Sequence, residues 1–274
     1  MPIFKPFFFA LALLTAFSSL AQQDTASHWK NVLEIEGEFE DMVIDRLGHI
    51  YLLKGNHEVK KMSGKGQLEI SESFRNYGEL THLDATNPLA PHFFFKNQAY
   101  VLITDNKLAE KAAYDLNSMG VEQAEAVCRA AEGGIWVFDV REFQLKYFTQ
   151  NKQQQRESEN LYLYFDDTPE IVGFVQQQSR LYIGVKNEGI YFFDIMGVYE
   201  KKIERKQFKS FNVHNELIYY WTGTEMRVFN TRTFADFSLK LPKAIGEKRD
   251  FKRIIFKDKK LYLLDQKKLQ VFQK

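Results

Sequence analysis

The stretch GGIWVFDVREFQLKYFT, Gly133 to Thr149, reads as a glycine turn, a strand of large apolar residues, a polar break at Arg141 and Glu142, and a second strand. Its core pattern is an apolar residue, an aromatic one, then two mostly bulky residues. That pattern returns along the chain at Ile50-Tyr51-Leu52-Leu53, Ala99-Tyr100-Val101-Leu102, Ile135-Trp136-Val137-Phe138, Leu181-Tyr182-Ile183-Gly184, Ile218-Tyr219-Tyr220-Trp221 and Leu261-Tyr262-Leu263-Leu264. Consecutive aromatic anchors stand 36 to 49 residues apart and average about 42, a period that belongs to propellers and solenoids.

The surroundings repeat too. An apolar strand precedes each anchor, at Met42-Val43-Ile44, Phe93-Phe94-Phe95, Ala126-Val127-Cys128, Ile171-Val172-Gly173-Phe174, Phe211-Asn212-Val213 and Ile254-Ile255-Phe256. A third strand begins seven or eight residues after each anchor, at Val59, Leu108, Phe143, Ile190, Met226 and Leu269. Three or four antiparallel strands per repeat of about 40 residues make a propeller blade, and each blade needs neighbours to cover its apolar faces. The spacing therefore predicts an all-β, six-bladed β-propeller over residues 22–274. The last copy runs out at Lys274 after its third strand, whereas Trp29 to Ile35 precedes the first copy; this N-terminal segment is expected to complete the sixth blade and cover its open edge.

The N-terminus, MPIFKPFFFALALLTAFSSLAQQD, sets Lys5 before an apolar run from Pro6 to Phe17 and small residues up to Ala21, the layout of a cleavable secretory signal over residues 1–21. The run is shorter than the roughly 20 residues a spanning helix needs, and the mature chain offers no transmembrane segment. Cys128 is the only cysteine and cannot form an internal disulfide; its apolar neighbours mark it as a buried strand thiol. Leu108 to Met119 has helical composition, and Gln150 to Asn160 reads as a polar connector between the third and fourth blades.

Two segments resemble a family of secreted bacterial envelope proteins typical of Bacteroidota-like bacteria. One is Leu83-Asp84 followed by Asn87-Pro88-Leu89; the other is Gly134, Ile135, Trp136 and Asp139. The resemblance implies a propeller-like fold outside the cytoplasm, periplasmic or secreted or at the periphery of the outer membrane. It implies no activity.

The chain carries no Gly-x-Ser-x-Gly elbow, no His-Glu-x-x-His motif and no phosphate loop, so no catalytic, cofactor-binding or metal residue is nominated. His82 and Asp84, two apart on a strand, share a side, but one such pair does not make a metal site. Asp105, Asp139, Asp194 and Asp265 follow the anchor strands; a shared rim would make them a cation or sugar site, and separate turns would make them hydrogen-bond acceptors.

Charge is more informative. Glu200 to Lys274 holds 19 Lys and Arg against 9 Asp and Glu, whereas Gln22 to Tyr199 holds 17 against 27, within a chain of net charge +1. Lys201, Lys202, Arg205 and Lys206 in one expected loop and Lys248, Arg249, Lys252 and Arg253 in another are the candidate partner-binding residues. An exported, near-neutral chain does not suit nucleic acid. The expected reading is a non-catalytic interaction or scaffolding module for an envelope protein or other acidic envelope component, with no cofactor; its alternative is a propeller that binds or processes a small ligand, a sugar or other, at the channel mouth.

Overall fold

The computed structural model describes residues 29–165, 168–206, 209–245 and 250–274. The expected secretory leader lies outside them, as do Lys248 and Arg249. Strand β1 (Lys30–Glu36) leads into five sheets built from consecutive strands. Blade 1 is β2–β5 (Asp41–Ile44, Ile50–Lys54, Glu58–Met62, Leu68–Ser73), and blade 2 is β6–β9 (His82–Asp84, His92–Phe95, Tyr100–Thr104, Glu110–Asp115). Blade 3 is β10–β13 (Ala124–Arg129, Ile135–Asp139, Gln144–Phe148, Gln154–Glu157), and blade 4 is β14–β17 (Ile171–Gln177, Arg180–Val185, Gly189–Asp194, Tyr199–Glu204). Blade 5 is β18–β21 (Ser210–His214, Leu217–Trp221, Met226–Asn230, Asp236–Leu239). Blade 6 joins β22–β24 (Arg253–Lys257, Lys260–Leu264, Lys268–Gln273) to β1. The protein is a six-bladed β-propeller.

The ring closes as the sequence implies. Strand β1 pairs antiparallel with β24, from Lys30 opposite Gln273 to Glu36 opposite Lys268. Trp29 adds its indole N–H to the Lys240 carbonyl at 3.0 Å and sets its ring edge-on to Phe256.

Each apolar layer lies between two blades. Tyr51 faces Phe93 and Phe95 of blade 2, Trp136 faces Ile183 and Tyr191 of blade 4, and Tyr262 faces Met42 and Leu52 of blade 1. The anchors thus point forward around the ring. Gly134 opens the quoted hairpin at φ +79, and a Cβ there would lie 2.0 Å from the Phe148 carbonyl oxygen. Only glycine fits that turn.

Three expectations need correction. In blade 2 the forward-facing anchor is Phe94, packed with Val127 and Ile135, and Tyr100 belongs to the third strand. The inner strand of this blade is the three-residue β6, with polar residues at both ends, which conceals it beside the run of three phenylalanines. The stretch of helical composition instead forms β9 and a single 3-10 turn at Asn117–Met119, because pairing with β8 and burial of Tyr114 outweigh the preference of its alanines. The polar stretch after Thr149 contains β13, an outer strand whose largely exposed side chains suit a blade edge.

Candidate functional site: the central channel and one face

The inner strands β2, β6, β10, β14, β18 and β22 all run from one face of the ring to the other, because each is followed by the same up-and-down order of strands. Blade-to-blade connections and the turns between second and third strands therefore share the face where the inner strands begin. This is the entry face. The remaining turns lie on the exit face.

A basin of about 440 Å³ opens on the entry face around Glu40, Asp41, Glu79, Glu125, His82 and Arg253. Each of its carboxylates has a partner. Arg253 grips Asp41 with two hydrogen bonds of 2.7 Å, Lys252 reaches Glu40 at 3.1 Å, Lys96 reaches Glu125 at 2.6 Å, and the Asn56 amide donates to Glu79 at 2.8 Å. The basin is polar, with three of its four carboxylates paired to cations and Glu79 held by a neutral amide.

Deeper in the channel lies a second space of about 150 Å³, walled mainly by apolar residues of β2, β6, β14, β18 and β22. His82 and Asp84 both border it, as their spacing implies. Burial pushes the His82 imidazole below its usual value; Asp84 and Asp41 pull it up, and Arg253 pushes it down. The ring is neutral at pH 7. Burial alone would raise the Asp84 carboxyl, but the neighbouring His92 and hydrogen bonds from Thr86 and the Arg129 N–H hold it below the ordinary range. A carboxylate so stabilised is a weak base, which leaves the Thr86 hydroxyl, 2.6 Å away, unactivated. At the exit end the Lys257 ammonium donates to the Asp45 and Ile44 carbonyls at 2.9 and 3.3 Å, and burial pushes its pKa down.

The four aspartates divide between the faces. Asp139 and Asp265 sit on the entry face and Asp105 and Asp194 on the exit face, so the shared-rim reading fails. Each accepts backbone N–H groups of its own turn: Lys107 and Ala109 for Asp105, Met196 and Val198 for Asp194, Lys267 and Lys268 for Asp265. Asp139 accepts from Glu122, Gln123 and Arg141 and binds the buried Lys146 ammonium at 2.9 Å. Burial raises its carboxyl, yet these bonds together hold it below its usual value. Cys128 is fully buried on β10, and burial pushes its thiol well above the usual range. Among the described residues no three His, Cys, Asp or Glu side chains converge as metal ligands would.

The candidate basic residues scatter into several tasks. Lys201 and Lys202 lie on β17 rather than in a loop. The Lys201 ammonium sits over the Phe234 and Phe192 rings at 4.4 and 4.9 Å, and burial lowers its pKa. Lys202 pairs with Glu188, and Arg205 with Asp236 and the Tyr220 hydroxyl. Lys252 and Arg253 fasten blade 6 to blade 1. Lys206 is exposed on the entry face, in the connection from blade 4 to blade 5. Lys209, Lys243 and Lys267 are exposed on that same face over blades 5 and 6. Their signal in the sequence was the general surplus of lysine, without any motif.

The fold places the chain among six-bladed propellers, a class that holds both enzymes and binding modules. Among solved structures it is similar to virginiamycin B lyase from Staphylococcus aureus, at 11% identity and a TM-score of 0.58, over 85% of this chain and 79% of that one. The WD40 domain of Pan2 from Neurospora crassa matches at 10% identity and a TM-score of 0.61, over 89% and 94% of the two chains. The extracellular domain of a putative hybrid two component system from B. thetaiotaomicron matches at 11% identity and 0.56, over 85% of this chain and 33% of that one. At such identities the likeness is one of fold. No protein-family model matches the chain, and no curated protein matches it.

Proposed function

We propose that this protein is a non-catalytic propeller of the cell envelope, in the periplasm or exported, that holds an acidic partner protein on the entry face of blades 5 and 6. The carrying observation is that Lys206, Lys209, Lys243 and Lys267 stand exposed on that face, whereas other basic side chains, Lys202, Arg205, Lys252 and Arg253 among them, are engaged within the fold. Four exposed lysines clustered on one face of two adjacent blades steer and orient an oppositely charged partner, although other exposed basic residues, Arg46, Lys65, Lys107, Lys152 and Lys259, stand in turns of the exit face. The unactivated Thr86 hydroxyl and the commitment of each basin carboxylate to a partner within the fold support binding over catalysis. The N-terminal leader and the resemblance to envelope propellers support the compartment.

The test is crosslinking in intact cells, with the wild-type protein and with a variant in which Lys206, Lys209, Lys243 and Lys267 are all Glu. The expected result is one abundant envelope partner recovered with the wild type and lost with the charge-reversed variant. Equal recovery with both would remove the entry face from the account.

A further inference from the structure

The inner space of the channel is bordered by three charged side chains, of which one has no counter-charge beside it. Arg253 and Lys257 border it from β22, and both are answered: Arg253 grips the Asp41 carboxylate, and the Lys257 ammonium, donating to the Ile44 and Asp45 carbonyls, feels the acids Asp258 and Asp45. Asp84 borders the space from β6. Among the described residues no ammonium or guanidinium stands within ion-pair distance of its carboxylate, which accepts only from the Thr86 N–H and hydroxyl and the Arg129 N–H. The neighbouring His92 is neutral at pH 7, because burial pushes its imidazole below the usual value. The three hydrogen bonds keep the carboxyl ionised and leave its charge uncancelled.

The rest of the wall is mostly aliphatic. Val43, Val172, Val175, Val213 and Ile255 line the space, and Gly173 leaves room for the Phe211 ring, which a Cβ there would meet at 2.8 Å. His82 stands on the same side of β6 as Asp84 and borders both this space and the basin above it. Its ring makes no hydrogen bond to any described residue, and a neutral imidazole offers one nitrogen as an acceptor. The way in from the entry face passes through the basin, where Glu79 is answered only by the neutral Asn56 amide, so the route is favourable to a cation.

We propose that this space binds a small organic ammonium ion, a protonated amine on an apolar body of about one ring. The charge follows from Asp84, since an ammonium and a buried carboxylate make charge-assisted hydrogen bonds that a low-dielectric wall strengthens. A primary ammonium brings three donors, and Asp84 and the His82 ring nitrogen offer acceptors on one side of the same strand. The size follows from the volume, about 150 Å³, since an apolar cavity of about that volume takes up benzene. An anion is a poor occupant, because it would be buried beside Asp84 while both nearby cations are held by the fold. The site is separate from the entry-face lysines, and either assignment can fail without the other.

The experiment titrates benzylammonium chloride and, separately, benzyl alcohol into the purified protein at pH 7 by calorimetry, with thermal melting as a second readout. Benzylammonium is expected to bind at one site and raise the melting temperature, and the uncharged alcohol of the same shape to bind about tenfold more weakly or less. Asp84→Asn should bring the two probes to within about twofold of one another, and Val213→Phe, which fills the space, should abolish both. If Asp84→Asn does not fold, the ratio of the two affinities in the wild type decides the role of charge; if Val213→Phe does not, Val172→Phe serves the same purpose. No binding of benzylammonium to the wild type, equal affinity for the two probes, an undiminished preference in Asp84→Asn, or undiminished binding by the filled variant would each overturn the proposal.

Discussion

The contact between blades 3 and 4 and the seam between blades 6 and 1 solve the same problem by different means. Between blades 3 and 4 the filling is aromatic: Trp136, Phe138, Phe165, Tyr191 and Phe193 are all buried, with the Phe165 and Tyr191 rings 4.5 Å apart. At the seam the apolar layer is thinner in rings, and three basic residues flanking or on β22 reach across to blade 1. Lys252 donates to the Phe39 carbonyl at 2.7 Å, Arg253 grips Asp41, and Lys257 donates to the Asp45 carbonyl. Blades 3 and 4 are consecutive in the chain, so the backbone limits how they slide. Arg253 and Asp41 are 212 residues apart, and an apolar layer alone fixes spacing better than register. Directional, charge-assisted bonds fix register.

Loss of β1 damages the seam most severely. Deleting residues 29–36 uncovers β24 and removes Leu33 and Ile35 from the seam, so the truncated protein is expected to show no cooperative thermal transition. A melt like that of the full chain would mean the seam holds without its outer strand.

Trp136→Ala probes the aromatic contact and is expected to cost about 3–5 kcal/mol, a large part of the stability of a typical domain. Chemical denaturation measures it. A loss under about 1 kcal/mol would contradict the packing of Trp136 against blade 4.

Arg253→Ala is expected to cost less, about 1–2 kcal/mol, since the pair is partly solvated: 17% of the Arg253 and 29% of the Asp41 side chain is exposed. A double-mutant cycle with Asp41→Asn isolates the coupling. If the two substitutions are strictly additive, the bridge does not fasten the ring.

The smallest effect is on acid sensitivity. Burial pushes both His82 and His92 below their usual value, so the unfolded chain takes up protons near pH 6.5 while the folded one resists them. Their contribution is therefore full above about pH 6.5 and is lost as the pH falls below it. His82→Gln with His92→Gln should flatten the stability profile between pH 7 and 5. An unchanged slope in the double variant would show that the channel is wetter than its geometry implies.

The repeat was legible because strands buried on both faces demand bulky residues at fixed intervals, and five of the six anchors declare themselves that way. Blade 2 hid its inner strand because His82, Leu83 and Asp84 carry one apolar residue among them. The channel was less legible. Gly173 within an apolar strand and Asp84 two residues after His82 are visible oddities, but only the ring brings them together. Charge polarity could be counted from composition, yet which lysines remain uncommitted depends on partners more than 200 residues away, as for Arg253 and Asp41.

The most direct test of ring closure replaces Glu34 and Gln270, which face one another across β1 and β24, with cysteines. Cys128 is buried and stays out of the chemistry. Oxidation is expected to give an intramolecular disulfide in nearly every molecule and to raise the melting temperature, since the bridge closes a loop of more than 230 residues. Free thiols under oxidising conditions, or bridges only between molecules, would contradict a propeller latched by its own N-terminal strand.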